Sequence, residues 1–347
     1  MPTRRSFLTA AAGATLLPAF SLRPAFAAGE VVLATFGGGL GGALRDILLK
    51  SYAEKAGLSF ADDPSGPLAG RIRAMVQEKN VIWDACDSVS YTAIRLGRDG
   101  LLEPIDYDVV DKSRLRPDGA LEYGINYGAY SVVLAYDREV YKDSPPSTWA
   151  DYFDLQKFPG KRGMWQYGYA WEAALLADGV APDKLYPLDT ERAIAKFRSI
   201  RDETLFFASG AEGIAALRDG EVSMAILFSM EFAKGAIDSN DRLACSWNQG
   251  LKGSTTLVVP KGNPAGPQVA MGLLAHAMAP QIQLELAKTA YIGPGDPAIS
   301  ASLPKEAARF DPNNPEWADQ QVPWNDEYYA ENEEKLIELF IDRVASN

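Results

Sequence analysis

Apolar positions along this chain recur with two different spacings that take turns. Val31–Ala34 is a short apolar run ending at glycines, and Leu40, Leu44, Ile47 and Leu48 then recur every three or four residues until Gly57. That spacing predicts a strand, a glycine loop, a helix and a helix stop. "LSF" follows as a short strand, "LAGRIRAMVQEK" as a helix, "VIWDACDSV" as a buried strand and "YTAIRLGRDG" as a helix leading to "LLEPIDY". Repeated strand–helix units predict an α/β fold with mostly parallel sheets.

The run "YGAYSVVLAYD" is longer and β-rich, and the proline- and aromatic-rich "SPPSTWADYFDLQKFPGKRGMW" after it marks entry into a second domain. "ERAIAKFRSIRD" and "AEGIAALRDG" predict helices and "SMAILF" a strand. "LACSWNQG" and "STTLVVP" predict two strands returning the chain to the first domain, before helices at "GPQVAMGLLAHAM" and "PQIQLELAKTA". The last helix, "EEKLIELFIDRV", places Ile337, Phe340, Ile341 and Val344 on one side as a docking face. A chain of 347 residues exceeds one ordinary core, so two domains are expected.

The beginning of the chain sets the compartment. Arg4-Arg5 precede Phe7-Leu8 and an alanine-rich run, and Ala25 and Ala27 fit a small-residue cleavage site. Residues 1–28 therefore read as a twin-arginine secretory signal; Pro18 and Pro24 interrupt the run too often for a membrane span. Cleavage would remove Arg4, Arg5 and Arg23 and no acid, taking the net charge from −12 to −15. Such acidity argues against nucleic acid or anionic membrane as partner and suits an exported protein meeting cations or neutral solutes.

The residue inventory limits the chemistry. Cys86 and Cys245 lie far apart in apolar runs and read as lone thiols, and the single histidine, His276, reads as a satisfied helix residue. Neither a zinc cluster nor a Ser-His-Asp arrangement can be assembled, and no carboxylates are placed as a catalytic pair. Enzymatic activity, metal and cofactor are accordingly not expected. Adjacent Tyr328 and Tyr329 occur in some ferric-iron binders, but here they open the last helix without an identifiable partner ligand.

Aromatics carry the more specific signal. Trp165, Tyr167, Tyr169 and Trp171 alternate, so an extended backbone would set all four on one face, either as core or as the wall of a ligand site. Phe228 and Trp247 lie near expected strand ends, where open α/β sheets bind ligands. Aromatic faces attract organic cations by about 0.5–2 kcal/mol each. Asp87, with Tyr91 four residues on, can accept hydrogen bonds from an amine or cap a helix. A competing reading takes Gly37, Gly39 and Gly42, with Asp62-Asp63 beyond them, as the G-x-G-x-x-G fingerprint of an exported NAD(P)-dependent oxidoreductase. That reading lacks a hydride-transfer site.

Taken in order, "TFGGGLGGALRD", "WDACDSVSYTAIRLGRDGLLEPIDY", "STWADYFDLQKFPGKRGMW", "LLADGVAPDKLYPLDTERA", "WNQG", "VVPKGNP" and "NDEYYAENEEKLIE" resemble the periplasmic solute-binding proteins of ABC importers, in the branch that includes spermidine/putrescine-binding proteins. The resemblance implies a type II, two-lobed α/β fold with a ligand cleft between lobes. Residues 29–128 and 254–318 would form lobe 1, 129–253 lobe 2, and 319–347 a C-terminal helix packed on both. It implies a monomer that captures a small amine, amino compound or organic cation and delivers it to a membrane permease. Carried over position by position, the ligand contacts would be Phe36, Gly37, Gly38, Asp87, Tyr91, Trp165, Tyr167, Tyr169, Phe228, Ser229, Trp247 and Thr255. Where polyamine binders place acids, near 165–169 and 254–255, this chain has none, so a long polyamine fits less well than a smaller amine.

Overall fold

Two long strands organise the molecule. The computed structural model describes residues 29–346; the expected signal segment, 1–28, lies outside them. Within that span the strands are β1 (Glu30–Ala34), β2 (Ser59–Asp63), β3 (Ala85–Val89), β4 (Ala120–Leu121), β5 (Gly124–Asp137), β6 (Arg162–Trp165), β7 (Thr204–Phe207), β8 (Met224–Phe228), β9 (Leu243–Val258), β10 (Gly293–Pro294) and β11 (Val322–Pro323). They form one sheet in the order β2-β1-β3-β9-β5-β8-β6-β7, with β4 and β10 added to β5 and β11 to β9.

β5 and β9, of 14 and 16 residues, run antiparallel through the whole sheet. At one end β9 carries β3, with Val89 opposite Thr255, and β1 and β2 extend that half in parallel. At the other end β5 carries β8, with Val132 opposite Phe228, and β6 and β7 extend it in parallel. β3 and β8 each run against the long strand they pair with. Their C-terminal ends therefore point toward each other across the middle of the molecule.

The pair expected at "LACSWNQG" and "STTLVVP" is this single strand β9. Its register against β5 jumps from Ser246↔Leu134 to Leu251↔Val132, so residues 247–250 bulge out of the ladder. Gln249 takes φ 61° in the bulge, and its carbonyl accepts the Trp149 indole N–H at 2.8 Å. β3 is shorter than expected. Trp83 precedes it, fully buried, and donates to Asp63 Oδ2 at 2.9 Å.

Each half of the sheet is covered on both faces, which is why β5 is buried along its full length and reads as a continuous run. In the first half, Leu44, Leu48, Leu257 and Leu273 pack on one face and Ile72, Trp83, Cys86 and Leu96 on the other. In the second half, Met224 and Ile226 of β8 join Trp149, Trp171 and Phe197, whereas Ala225 and Leu227 join Phe207, Leu217 and Phe232. The period of two in a strand produces that split.

The last helix (Asp326–Phe340) starts at Asn325, whose side chain accepts the Tyr328 N–H at 3.0 Å. Its docking face is rotated from the one expected. Leu336, Phe340 and Val344 are buried, while Ile341 is 38% exposed. Phe340 meets the rings of Trp171 and Phe197 in the second half, and Arg95 and Arg98 of the first half pair with Glu333 and Glu327.

Candidate functional site

The ends of β6, β7 and β8 bring three rings together. Trp165 closes β6 with its ring 5.3 Å from Phe207 and 5.4 Å from Phe228. Extended backbone stops there, so the alternating row does not continue to Trp171, which opens a helix and sends its ring into the core. Gly168, at φ +69°, turns the chain so that Tyr169 packs 5.9 Å from Trp165 and 6.0 Å from Phe228. A Cβ on Gly168 would sit 2.4 Å from the Phe340 ring, so the turn also needs glycine for close approach. Tyr167 adds its ring 6.0 Å from Tyr169.

The aromatic row then crosses to the other half. Phe228 meets Tyr130 of β5 at 5.3 Å, Tyr130 meets Trp324 at 5.8 Å, and Trp324 meets Tyr91 at 6.4 Å. Tyr329 of the last helix lies 5.6 Å from Tyr91. Ring pairs of this geometry contribute about 0.5–1.5 kcal/mol each beyond their buried area. Trp165, Tyr167, Tyr169, Phe228 and Tyr91 are thus joined, through Tyr130 and Trp324, which no sequence pattern had singled out.

Electrostatics follow the same row. Burial, and then the neighbouring acids and phenols, push the Tyr91, Tyr130 and Tyr169 hydroxyls up; Glu333 acts on all three and Asp87 on Tyr130. Asp326 also acts on Tyr130, and its own pKa is raised to about 6 by burial. The 165–169 turn contains no acid, yet the site is not acid-poor, because β3 and the last helix supply Asp87, Asp326 and Glu333.

The other expected contacts are placed differently. Asp87 is buried inside the first half, accepts the Tyr127 hydroxyl at 2.8 Å, and has its pKa raised to about 7 by burial. Ser229 is fully buried and its Oγ accepts the Ser131 N–H at 3.1 Å, which commits it to the crossing strand. Thr255 is buried with Oγ1 unpartnered. Trp247 sits in the β9 bulge rather than at a strand end, stacked on Trp317 at 5.2 Å and 7°. Phe36 is 52% exposed beside Gly66. Gly37 and Gly38 take φ 70° and 63° in the turn from β1 into the following helix.

Within that glycine loop, Gly41 lets the Thr35 hydroxyl approach where a Cβ would meet it at 2.7 Å. Asp63, which the dinucleotide reading would give to a ribose, accepts from the Ser65 and Trp83 N–H groups. Elsewhere His276 faces the Ser51 hydroxyl at 2.9 Å, and Cys86 and Cys245 are free thiols. Tyr329 gives its hydroxyl to Glu172 at 2.9 Å.

Two sheet halves joined by long crossing strands, with ring-lined strand ends meeting between them, define a two-lobed solute-binding protein. The chain belongs to the bacterial extracellular solute-binding proteins, whose family it matches over residues 48–315. A gamma-aminobutyric acid-binding protein of Pseudomonas aeruginosa is 28% identical over 319 residues, 90% of each chain. The solved Atu4243-GABA receptor is 29% identical with a TM-score of 0.84, over 92% of this chain and 98% of that one. The binding protein AgtB of Agrobacterium tumefaciens R10, solved with agropinic acid, is 26% identical with a TM-score of 0.81, over 92% and 99%. A spermidine/putrescine-binding protein of Streptococcus pneumoniae, at 15% identity and a TM-score of 0.71, shares the fold. The chain is the substrate-binding component of an ABC importer for small solutes, and its relatives bind solutes rather than transform them. Among the described residues no helix is long and apolar enough to cross a membrane.

Proposed function

We propose that this protein is exported by the twin-arginine route and captures a small amine-bearing solute, of the size of a short amino acid, in the periplasm. It then hands the solute unaltered to the permease of its transporter, acting as a monomer. The observation that carries this reading is the continuous row of rings from Trp165 to Tyr91, flanked by Asp87, Asp326 and Glu333. Aromatic faces in a field of buried carboxylates favour an ammonium group. Relatives at 28–29% identity carry γ-aminobutyric acid in their names, whereas the polyamine binder stands at 15%, which favours an amino acid over a long polyamine.

In this reading lobe 1 comprises 29–128 and 254–318 and lobe 2 comprises 129–253, so that both changeovers fall inside the crossing strands. Closure is then a bend of β5 and β9 near their register jump. The test is a thermal shift of the mature protein with amines, amino acids, opines and sugars. A ligand at one hundred times its Kd stabilises by about 2.7 kcal/mol. A shift with a short amino acid is the expected result, and a shift with sugars alone would refute the reading.

A further inference from the structure

The strand ends of the second lobe hold one carboxylate whose hydrogen-bonding capacity is unmet. Glu231 stands on the first turn of the helix Ser229–Asp238, which follows directly from Phe228. Its Oε2 is buried and has no hydrogen-bond partner. Its Oε1 lies against Gly210, where a Cβ would come within 1.8 Å, so only glycine leaves room for the carboxylate there.

Other buried acids have hydrogen-bond donors. Asp87 accepts from Tyr127, Glu172 from Tyr186 and Tyr329, Glu333 from Arg95, and Asp311 from Ser300. Asp84 accepts the backbone N–H groups of Val32 and Ala265. Among the described residues no lysine or arginine pairs with Glu231. Burial raises its pKa to about 8, and the Phe228 amide alone offsets that. The Phe228 amide satisfies part of the carboxyl group, which leaves Oε2 as a buried acceptor that the fold does not use.

A second orphan lies at the neighbouring strand end. Trp165 Nε1 is also buried without a partner, and its ring faces Phe228 at 5.4 Å. An unused acceptor on Glu231, three residues past Phe228, and an unused donor on Trp165 thus belong to the two strand ends whose rings meet.

We propose that Glu231 is the anchor in the second lobe for the ammonium group of the transported solute, with the Phe228 and Trp165 rings beside the cation and the Trp165 N–H offered to an oxygen of the same solute. This rests on the amine reading above and names the residue that recognises the charge. Ligand entry supplies the counter-charge that Glu231 lacks in the free protein, which favours its ionised form in the complex.

Calorimetric titration of the full mature chain with 4-aminobutyrate, putrescine and lysine first identifies which probe the wild type binds. Glu231→Gln, nearly isosteric, is then expected to weaken that probe at least tenfold while the Tm of the ligand-free protein stays level or rises. Equal affinity for the variant and the wild type overturns the role of Glu231 and leaves the amine reading standing. Wild-type protein that binds none of the three amines overturns both. If Glu231→Gln does not fold, Glu231→Asp keeps the charge and withdraws it by one methylene. That variant must then lose affinity at unchanged Tm, and full affinity would refute the assignment.

Discussion

Arg95 and Glu333 stand 3.2 Å apart, and through them the first lobe grips the C-terminal helix. The same helix continues into a last turn whose Arg343 pairs with Glu191 at 2.5 Å and whose Arg343 carbonyl accepts from Arg198 at 2.8 Å, both in the second lobe. One helix is therefore fastened to both lobes beside the aromatic row.

Glu333→Gln should loosen that attachment. The pair is only 16% and 17% exposed, which places it between exposed and fully buried ion pairs, and Arg95 retains Glu334 at 3.2 Å. A loss of about 1–2 kcal/mol is expected. Urea denaturation of the wild type and variant measures it. An unchanged midpoint would mean that Glu334 fully replaces Glu333.

The Trp165 ring touches Phe207, Phe228 and Tyr169 but is only partly buried, so its removal should cost binding more than folding. Trp165→Ala is expected to weaken the bound solute by about 1–2 kcal/mol, roughly tenfold, in line with one lost cation–π face. Titration of the folded variant decides the matter. Undiminished affinity with a lowered Tm would make the residue core.

Asp87 makes stability depend on pH in an unusual direction. Burial raises its pKa from 3.8 to about 7, so between these values the folded chain holds a proton that the unfolded chain has released. Stability from this group is therefore present at low pH and lost as pH rises through about 7. Glu231 and Asp326, raised to about 8 and about 6, act with the same sign. Asp87→Asn keeps an acceptor for the Tyr127 hydroxyl and removes the titration. Its Tm without ligand should exceed the wild-type value at pH 8 and change less between pH 4 and 7. Parallel Tm–pH curves would show that Asp87 is not buried in solution.

Much of the row of rings was readable locally. Trp165, Tyr167, Tyr169 and Phe228 stood out because aromatics clustered beside a glycine and at the end of an apolar strand. Tyr130 did not, because a tyrosine inside a fully buried strand looks like any other core residue until its neighbours are known. Trp324 and Glu333 come from a segment more than 150 residues beyond the 165–169 turn, and Glu231 sits in an ordinary amphipathic helix. Their importance lies in what surrounds them. Trp247 misled for the converse reason: its strand bulges, which no local periodicity announces.

By itself the amino-acid sequence determined the alternation of strands and helices, the two-lobed α/β class and the positions of the turns, since these follow from side-chain period and from glycine, both local properties of the chain. Tertiary structure alone decided that β9 is one strand, that acids from β3 and the last helix stand near an aromatic row lacking its own, and that Glu231 keeps a buried oxygen without a partner. Burial and hydrogen-bond satisfaction are properties of the space between segments, and that space exists only once the chain has folded.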